Sequence, residues 1–131
     1  MKLKGKASLY GNGEKVEPNT AANIQFCPET MECALPIFSC YHLGIKVRAG
    51  KPKYFSVIRV TYKHPVHGEL LVHVRHTDFG PNIKYQTLIK DGGALKKIED
   101  IRIIDLTRRA FRNLTGNLDL GVVDVEIERV E

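Results

Sequence analysis

An all-β fold, mostly strand with one or two short helices, is what this sequence predicts, and closure into a small barrel is the architecture it favours. Three observations lead there. Residues 54–62 and 123–128 alternate apolar and polar side chains with a period of two, the pattern of a strand that buries one face. Turn-forming groups recur at short intervals, as in His64-Pro65-Val66-His67-Gly68, Phe79-Gly80-Pro81 and Thr115-Gly116. Only the stretch from Thr107 to Leu114 reads as a helix. Many short strands with few helices to cover them suit a closed barrel, because closure leaves no unpaired sheet edge.

In chain order, Gly11-Asn12-Gly13 marks a flexible turn after the first few residues. In Tyr54–Tyr62 the set Tyr54, Ser56, Ile58, Val60 and Tyr62 is the expected core face. His64–Gly68 turns this strand into Leu70–Arg75, which makes a hairpin. Phe79-Gly80-Pro81 then ends the second strand, since Gly tolerates unusual backbone angles and Pro donates nothing to a ladder. That places Asp78 where a strand leaves its sheet, on a loop held by a rigid scaffold. Residues 82–101 hold Tyr85–Ile89, a turn at Asp91-Gly92-Gly93, and Ala94–Ile98; a loop of this length beside Asp78 suits a cleft wall or lid. Arg102–Leu106 is apolar at Ile103 and Ile104 and leads to Thr107, a good N-cap for a helix over Arg108–Leu114. Val123, Val125 and Ile127 alternate with Asp124, Glu126 and Glu128 in a final half-buried strand.

Length and charge narrow the function classes. The chain has 131 residues and a formal net charge of +5, enough for one domain with an ordinary core. No apolar run is long enough to span a bilayer. Lys2, Lys4 and Lys6 interrupt the start and no apolar segment follows, so no signal peptide is legible; a mature fragment or a phage-type lysin released by another route would both account for that. Residues 1–64 carry ten Lys or Arg against four acids, while 65–131 carry ten against eleven. The excess therefore lies in the first half, notably at Lys46, Arg48, Lys51 and Lys53. A basic face attracts anionic polymers or simply keeps the protein soluble. Nucleic acid is not the expected partner, because no recognition motif accompanies the charge. Cys27, Cys33 and Cys40 lack the paired spacing of a zinc site. Three reduced, mostly buried thiols are the favoured reading, with one disulfide plus a spare thiol as the alternative. No metal or other cofactor is expected.

Four runs, in order, resemble the rare lipoprotein A family of double-psi β-barrels, which contains peptidoglycan lytic transglycosylases. Gly5-Lys6-Ala7-Ser8-Leu9-Tyr10-Gly11 is similar to the family's Gly-x-Ala-Ser-Trp-Tyr-Gly, and Gly13–Asn19 to its Gly-Glu-x-Phe-Asp-x-Asn. Val72, Val74, Asp78, Gly80 and Pro81 match a valine-rich strand running into Asn-Asp-Arg-Gly-Pro. Arg102-Ile103-Ile104-Asp105-Leu106-Thr107 matches Arg-Ile-Ile-Asp-Leu-Ser before a short helix. The resemblance implies one six-stranded double-psi β-barrel over residues 1–131, with a loop insertion at about 82–101. It implies binding and cleavage of cell-wall peptidoglycan glycan strands, in the wall, the periplasm or outside the cell. The alternative is a non-catalytic, wall-binding module of the expansin kind.

The chemistry would rest on Asp78. Breaking a glycosidic bond needs a proton on the leaving oxygen, and a carboxyl can deliver it. A lytic transglycosylase then draws the proton from the sugar's own 6-hydroxyl, closing an anhydro ring without water. The resemblance assigns Asp78 that role and Glu14 a second catalytic acid; the bland alternatives are a turn-capping Asp and an exposed loop acid. Where the family carries a His after Thr-Ala-Ala, this chain has Asn23, which binds or orients but exchanges no proton near neutral pH. His42 is the candidate to fill that role, against a plain surface His. Tyr10, Asn12, Asn23, His76 and Asn82 are the expected substrate-binding groups, and Leu9 in place of Trp weakens an aromatic platform around Tyr10. His64, His67, His73 and His76 read as polar surface or cleft residues. Asp105 is assigned to structure, near the start of the helix.

Overall fold

In the computed structural model, described over residues 2–10, 18–80 and 101–131, six strands close into a barrel. The strands are β1 (Lys2–Leu9), β2 (Glu32–Leu35), β5 (Val57–His64), β6 (Gly68–Phe79), β7 (Arg102–Leu106) and β8 (Val122–Arg129). Around the barrel they run β1-β7-β2-β6-β5-β8. The remaining elements are α1 (Ile37–His42), a two-stranded ribbon of β3 (Val47–Arg48) and β4 (Lys51–Pro52), and α2 (Arg108–Thr115). The all-β barrel with short helices is therefore what the chain forms. No helix among the described residues is long and apolar enough to cross a membrane.

Two of the six pairings are parallel, β1 with β7 and β2 with β6, and the rest are antiparallel. Parallel neighbours need a crossover connection, so the chain crosses over between β1 and β7 and between β2 and β6 instead of running simply up and down. Each parallel pair also slips by one residue. Lys6 pairs Arg102 but Ala7 pairs Ile104, and Cys33 pairs His76 but Ala34 pairs Asp78. The extra residues, Ile103 and Thr77, are bulges that re-aim the side chains following them.

The barrel interior follows from the alternation. Leu3 and Ala7 from β1, Ile58 and Val60 from β5, Val72 and Val74 from β6, and Val123, Val125 and Ile127 from β8 are all buried. Asp124, Glu126 and Glu128 face outward, where they pair with Lys6, Lys2 and Arg59 respectively. Gly5 sits where β1 passes closest to β7: a Cβ there would lie 2.6 Å from Ile103 Cγ2. Phe111 and Leu114 of α2 close one end of the core. The helix stops at Gly116, whose φ of 75° admits the left-handed cap.

Several local expectations are corrected. β5 starts at Val57 rather than Tyr54, because a left-handed residue at Phe55 breaks the strand there. β6 does not end before Asp78; it runs to Phe79, held by parallel pairing to Ala34 and Leu35 of β2. Thr107 stands at the N-cap of α2 but its side chain does not cap the helix. Its hydroxyl instead donates to Thr30 O and accepts from Glu32 N at 3.4 Å, pinning the entry of β2. Of the three thiols, Cys33 and Cys40 are buried and Cys27 is exposed, with no disulfide.

The ribbon accounts for much of the basic first half. Val47 pairs Pro52 and Arg48 pairs Lys51, while Lys53 N donates to Lys46 O at 2.8 Å. Because side chains alternate along a strand, Lys46, Arg48, Lys51 and Lys53 share the outer face. All four are exposed, whereas Pro52 is buried and Val47 packs against the core.

Candidate functional site

The registers bring the two acidic motifs to one level of the barrel. Asp105 of β7 pairs Ala34 of β2, and Ala34 in turn pairs Asp78 of β6. Neighbouring strands lie about 4.8 Å apart, so the two main chains stand roughly 10 Å apart across Ala34. Ser8 of β1 flanks Asp105 on its other side, and the Ser8 hydroxyl donates to Asp105 Oδ1. Arg102 Nη1 approaches the same hydroxyl at 3.4 Å. Asp105 is buried and Asp78 half-buried.

Asp78 is oriented by main-chain donors. Its Oδ1 accepts from Phe79 N at 2.8 Å and from Ala21 N at 3.0 Å. The turn-capping role weighed from sequence is thus realised; among the described residues Oδ2 receives no donor. The second bond ties in the Thr20-Ala21-Ala22-Asn23 loop. Ala22 N also donates to Thr77 O at 3.0 Å, and Thr20 N to Ile24 O at 2.7 Å. Asn23 is the turn residue of this loop, exposed and at a φ of 63°, a conformation Asn tolerates better than most residues. Position 23 thus belongs to the loop that reaches Asp78 through Ala21 N.

Tyr10 enters from the end of β1. Its ring is half-buried against Phe26, centroids 5.2 Å apart. Its hydroxyl is buried and finds no hydrogen-bond partner among the described residues. Burial pushes the phenol far above its ordinary pKa, with the charge of Asp78 next in effect and those of Cys33, Glu32 and Asp105 behind it. The phenol thus lies within the fields of both aspartates, with its hydroxyl turned inward rather than presented as a platform.

His76 corrects the sequence reading. The sequence predicts a polar surface or cleft residue that binds substrate, yet His76 is fully buried, with the Tyr54 ring tilted against it at 4.9 Å. Neither ring nitrogen makes a hydrogen bond within the described residues. Burial pulls its pKa down to about 4, outweighing the opposing effect of the Asp78 main chain, so the ring is neutral. Alternation along β6 puts it on the inner face after Val72 and Val74. Tyr54 touches His76 and feels the acid: burial raises its phenol pKa, and the charge of Asp78 raises it further.

The other candidates are not gathered here. His42 ends α1, exposed, its ring edge-on to Phe38 at 6.3 Å, and no described contact joins it to Asp78. His73 is exposed on β6, and His64 caps its own turn, its Nδ1 accepting from Val66 N at 3.0 Å and His67 N at 3.1 Å. Asn12, Glu14 and Asn82, and the insertion over 82–100, lie outside the described residues. Among the described residues no three His, Cys, Asp or Glu side chains come together as metal ligands.

Sequence reasoning missed Ser8, Tyr54 and the alignment of Asp105 with Asp78. No local signal carries the last, because the alignment comes from the strand order β7-β2-β6. A further anchor, Glu29, lies in the loop before β2. It binds Arg108 at 2.6 Å and Arg112 at 2.9 Å, and these bonds hold its carboxyl below the usual range. The clamp fixes α2 to the segment leading into Cys33 and Ala34.

No family model matches the chain, and no curated protein matches it. Among solved structures it is similar to a papain inhibitor from Streptomyces, at a TM-score of 0.62 and 18% identity, over 100% of this chain and 96% of that one. At that identity the likeness is one of fold: a β-barrel of the same extent, built from a different sequence.

Proposed function

We propose that this barrel binds glycan strands of bacterial peptidoglycan and cleaves them as a lytic transglycosylase acting at the cell wall. The observation that carries the reading is the level alignment of Asp78 and Asp105 across Ala34, with the Tyr10 phenol in the field of both. Asp78 in its acid form gives a proton to the glycosidic oxygen, and the bond from that oxygen to the sugar C1 breaks. The resulting positive charge at C1 is met by the carboxylate that Asp78 becomes, while buried Asp105 keeps a structural role, bonded to Ser8. The sugar's 6-hydroxyl oxygen then bonds to C1 and returns its proton to Asp78. The products are a free hydroxyl on one strand and an anhydro ring on the other, with no water consumed. The Thr20–Asn23 loop holds the Asp78 carboxyl in place through Ala21 N.

Purified sacculi incubated with the protein should release products ending in anhydro sugars, identified by mass spectrometry. Asp78→Asn should abolish them while leaving pelleting on sacculi intact, because the amide retains the oxygen that accepts from Ala21 and Phe79 but gives no proton. Products from Asp78→Asn within a few-fold of wild type would move the chemistry elsewhere. Firm pelleting without any products from the wild type would favour the expansin-like module.

A further inference from the structure

Phe55 is held in a conformation that its side chain disfavours. Its φ is 78°, in the left-handed region where bulky residues are outliers. The strap that holds it is well defined: Phe55 N donates to His76 O at 2.8 Å, and His76 N donates to Ser56 O at 2.9 Å. Since Val57 pairs Arg75, both Phe55 and Ser56 oppose His76, two residues against one. This is a β-bulge whose first residue is left-handed, a place that normally takes glycine. Here the strain is not offset by burial, since the Phe55 side chain stands 49% exposed.

What the strained position does provide is direction. Tyr54 turns inward onto His76, and Phe55 turns outward with the Arg75 guanidinium over its ring at 5.0 Å. Arg75 is exposed and has no ion pair with a described carboxylate. Both groups flank His76, two residues before Asp78 on β6, about 7 Å along the strand from the acid. A flat apolar ring with a guanidinium over one face and no ion pair to a described carboxylate, next to a carboxyl oriented by main-chain amides, suits a pyranose that carries its own carboxylate. The C–H face of the sugar lies on the ring, and its acid meets the planar donors of arginine.

We propose that Phe55 and Arg75 form a subsite for an acidic sugar ring, adjacent to Asp78. This rests on the glycan reading above and deepens it by naming the group recognised. Backbone strain kept at an exposed aromatic is then a stability cost retained for binding.

The test uses soluble glycan strands stripped of stem peptides, whose muramic carboxylates are free, beside neutral chitin oligosaccharides of equal length. Phe55→Gly relieves the left-handed strain, so its Tm should hold or rise, while affinity for the glycan falls at least five-fold. Phe55→Trp should retain binding. Arg75→Gln should bring affinity for the acidic strands down to that for the neutral ones. A marked fall in Tm for Phe55→Gly shows that the ring is structural and overturns the subsite. So does unchanged glycan affinity in Phe55→Gly, or an undiminished acidic preference in Arg75→Gln, with the glycan reading left standing. Failure of the wild type to bind either glycan overturns the parent reading together with the subsite.

Discussion

Protonation of His76 should destabilise the barrel by an amount that the structure sets. The ring is fully buried and its pKa is pulled from 6.5 to about 4. At about 1.4 kcal/mol per pH unit, the neutral ring contributes about 3 kcal/mol of stability at pH 7. Above pH 6.5 the ring is neutral in the folded and unfolded chains alike, and the contribution is fully present. As pH falls from 6.5 towards 4, the unfolded chain takes up a proton that the folded chain refuses, and stability drops by up to about 1.4 kcal/mol per unit. Below about 4 the folded ring protonates too, and the loss is complete. Exposed carboxylates titrate near the lower end of this window, so the informative quantity is a difference between variants. Urea unfolding at half-unit steps from pH 7.5 to 4 should show wild type losing about 3 kcal/mol more than His76→Leu, or on the order of 10 °C in Tm. Parallel pH profiles for the two proteins would refute the reasoning, since they would mean that the buried imidazole exchanges its proton as freely as an exposed one.

Two further outcomes follow from packing and exposure. Gly5→Ala should cost about 1–3 kcal/mol by overpacking, because its Cβ would meet Ile103 Cγ2 at 2.6 Å and Ile101 O at 3.0 Å; adding Ile103→Ala should recover part of that loss, and additive effects in thermal unfolding would contradict the contact. A maleimide applied to the native protein should label Cys27 alone. Burial raises the Cys33 thiol and pushes Cys40 up to about 11, so both should react only on unfolding; prompt labelling of two or three thiols, read by intact mass, would show that β2 and α1 open.

Much of the barrel was legible in the chain because strand pairing follows a period of two. The faces of β5, β6 and β8 could be assigned from Ile58, Val60, Val72, Val74, Val123, Val125 and Ile127, and each of these residues is buried. The turn at His64–Gly68 was legible for a similar reason, since its signals are local. The helix after Thr107 was marked by its flanking residues, though the Thr107 hydroxyl serves Thr30 and Glu32 instead. Helix α1 and the basic ribbon were missed: six residues around Ser39 and Cys40 are too few to show a period, and Lys46–Lys53 carries little apolar patterning. The ribbon becomes visible only when Val47 and Pro52 face the core and leave four cations outside.

The sequence by itself determined the strand faces, the acid at the end of β6 and the basic character of the first half, because these depend on neighbours in the chain. Tertiary structure alone decided which residues meet. Asp78 and Asp105 are 27 positions apart in sequence, and only the β7-β2-β6 order sets them level across Ala34. Thr77 illustrates the limit most clearly. Alternation after Val72, Val74 and His76 puts it on the outer face, yet the one-residue slip opposite Cys33 and Ala34 leaves it buried. A bulge is set by the register of a partner more than forty residues away, and no local pattern encodes that register. The same holds for Phe55, whose left-handed backbone lies in a bulge that His76 binds at both of its residues, Phe55 and Ser56.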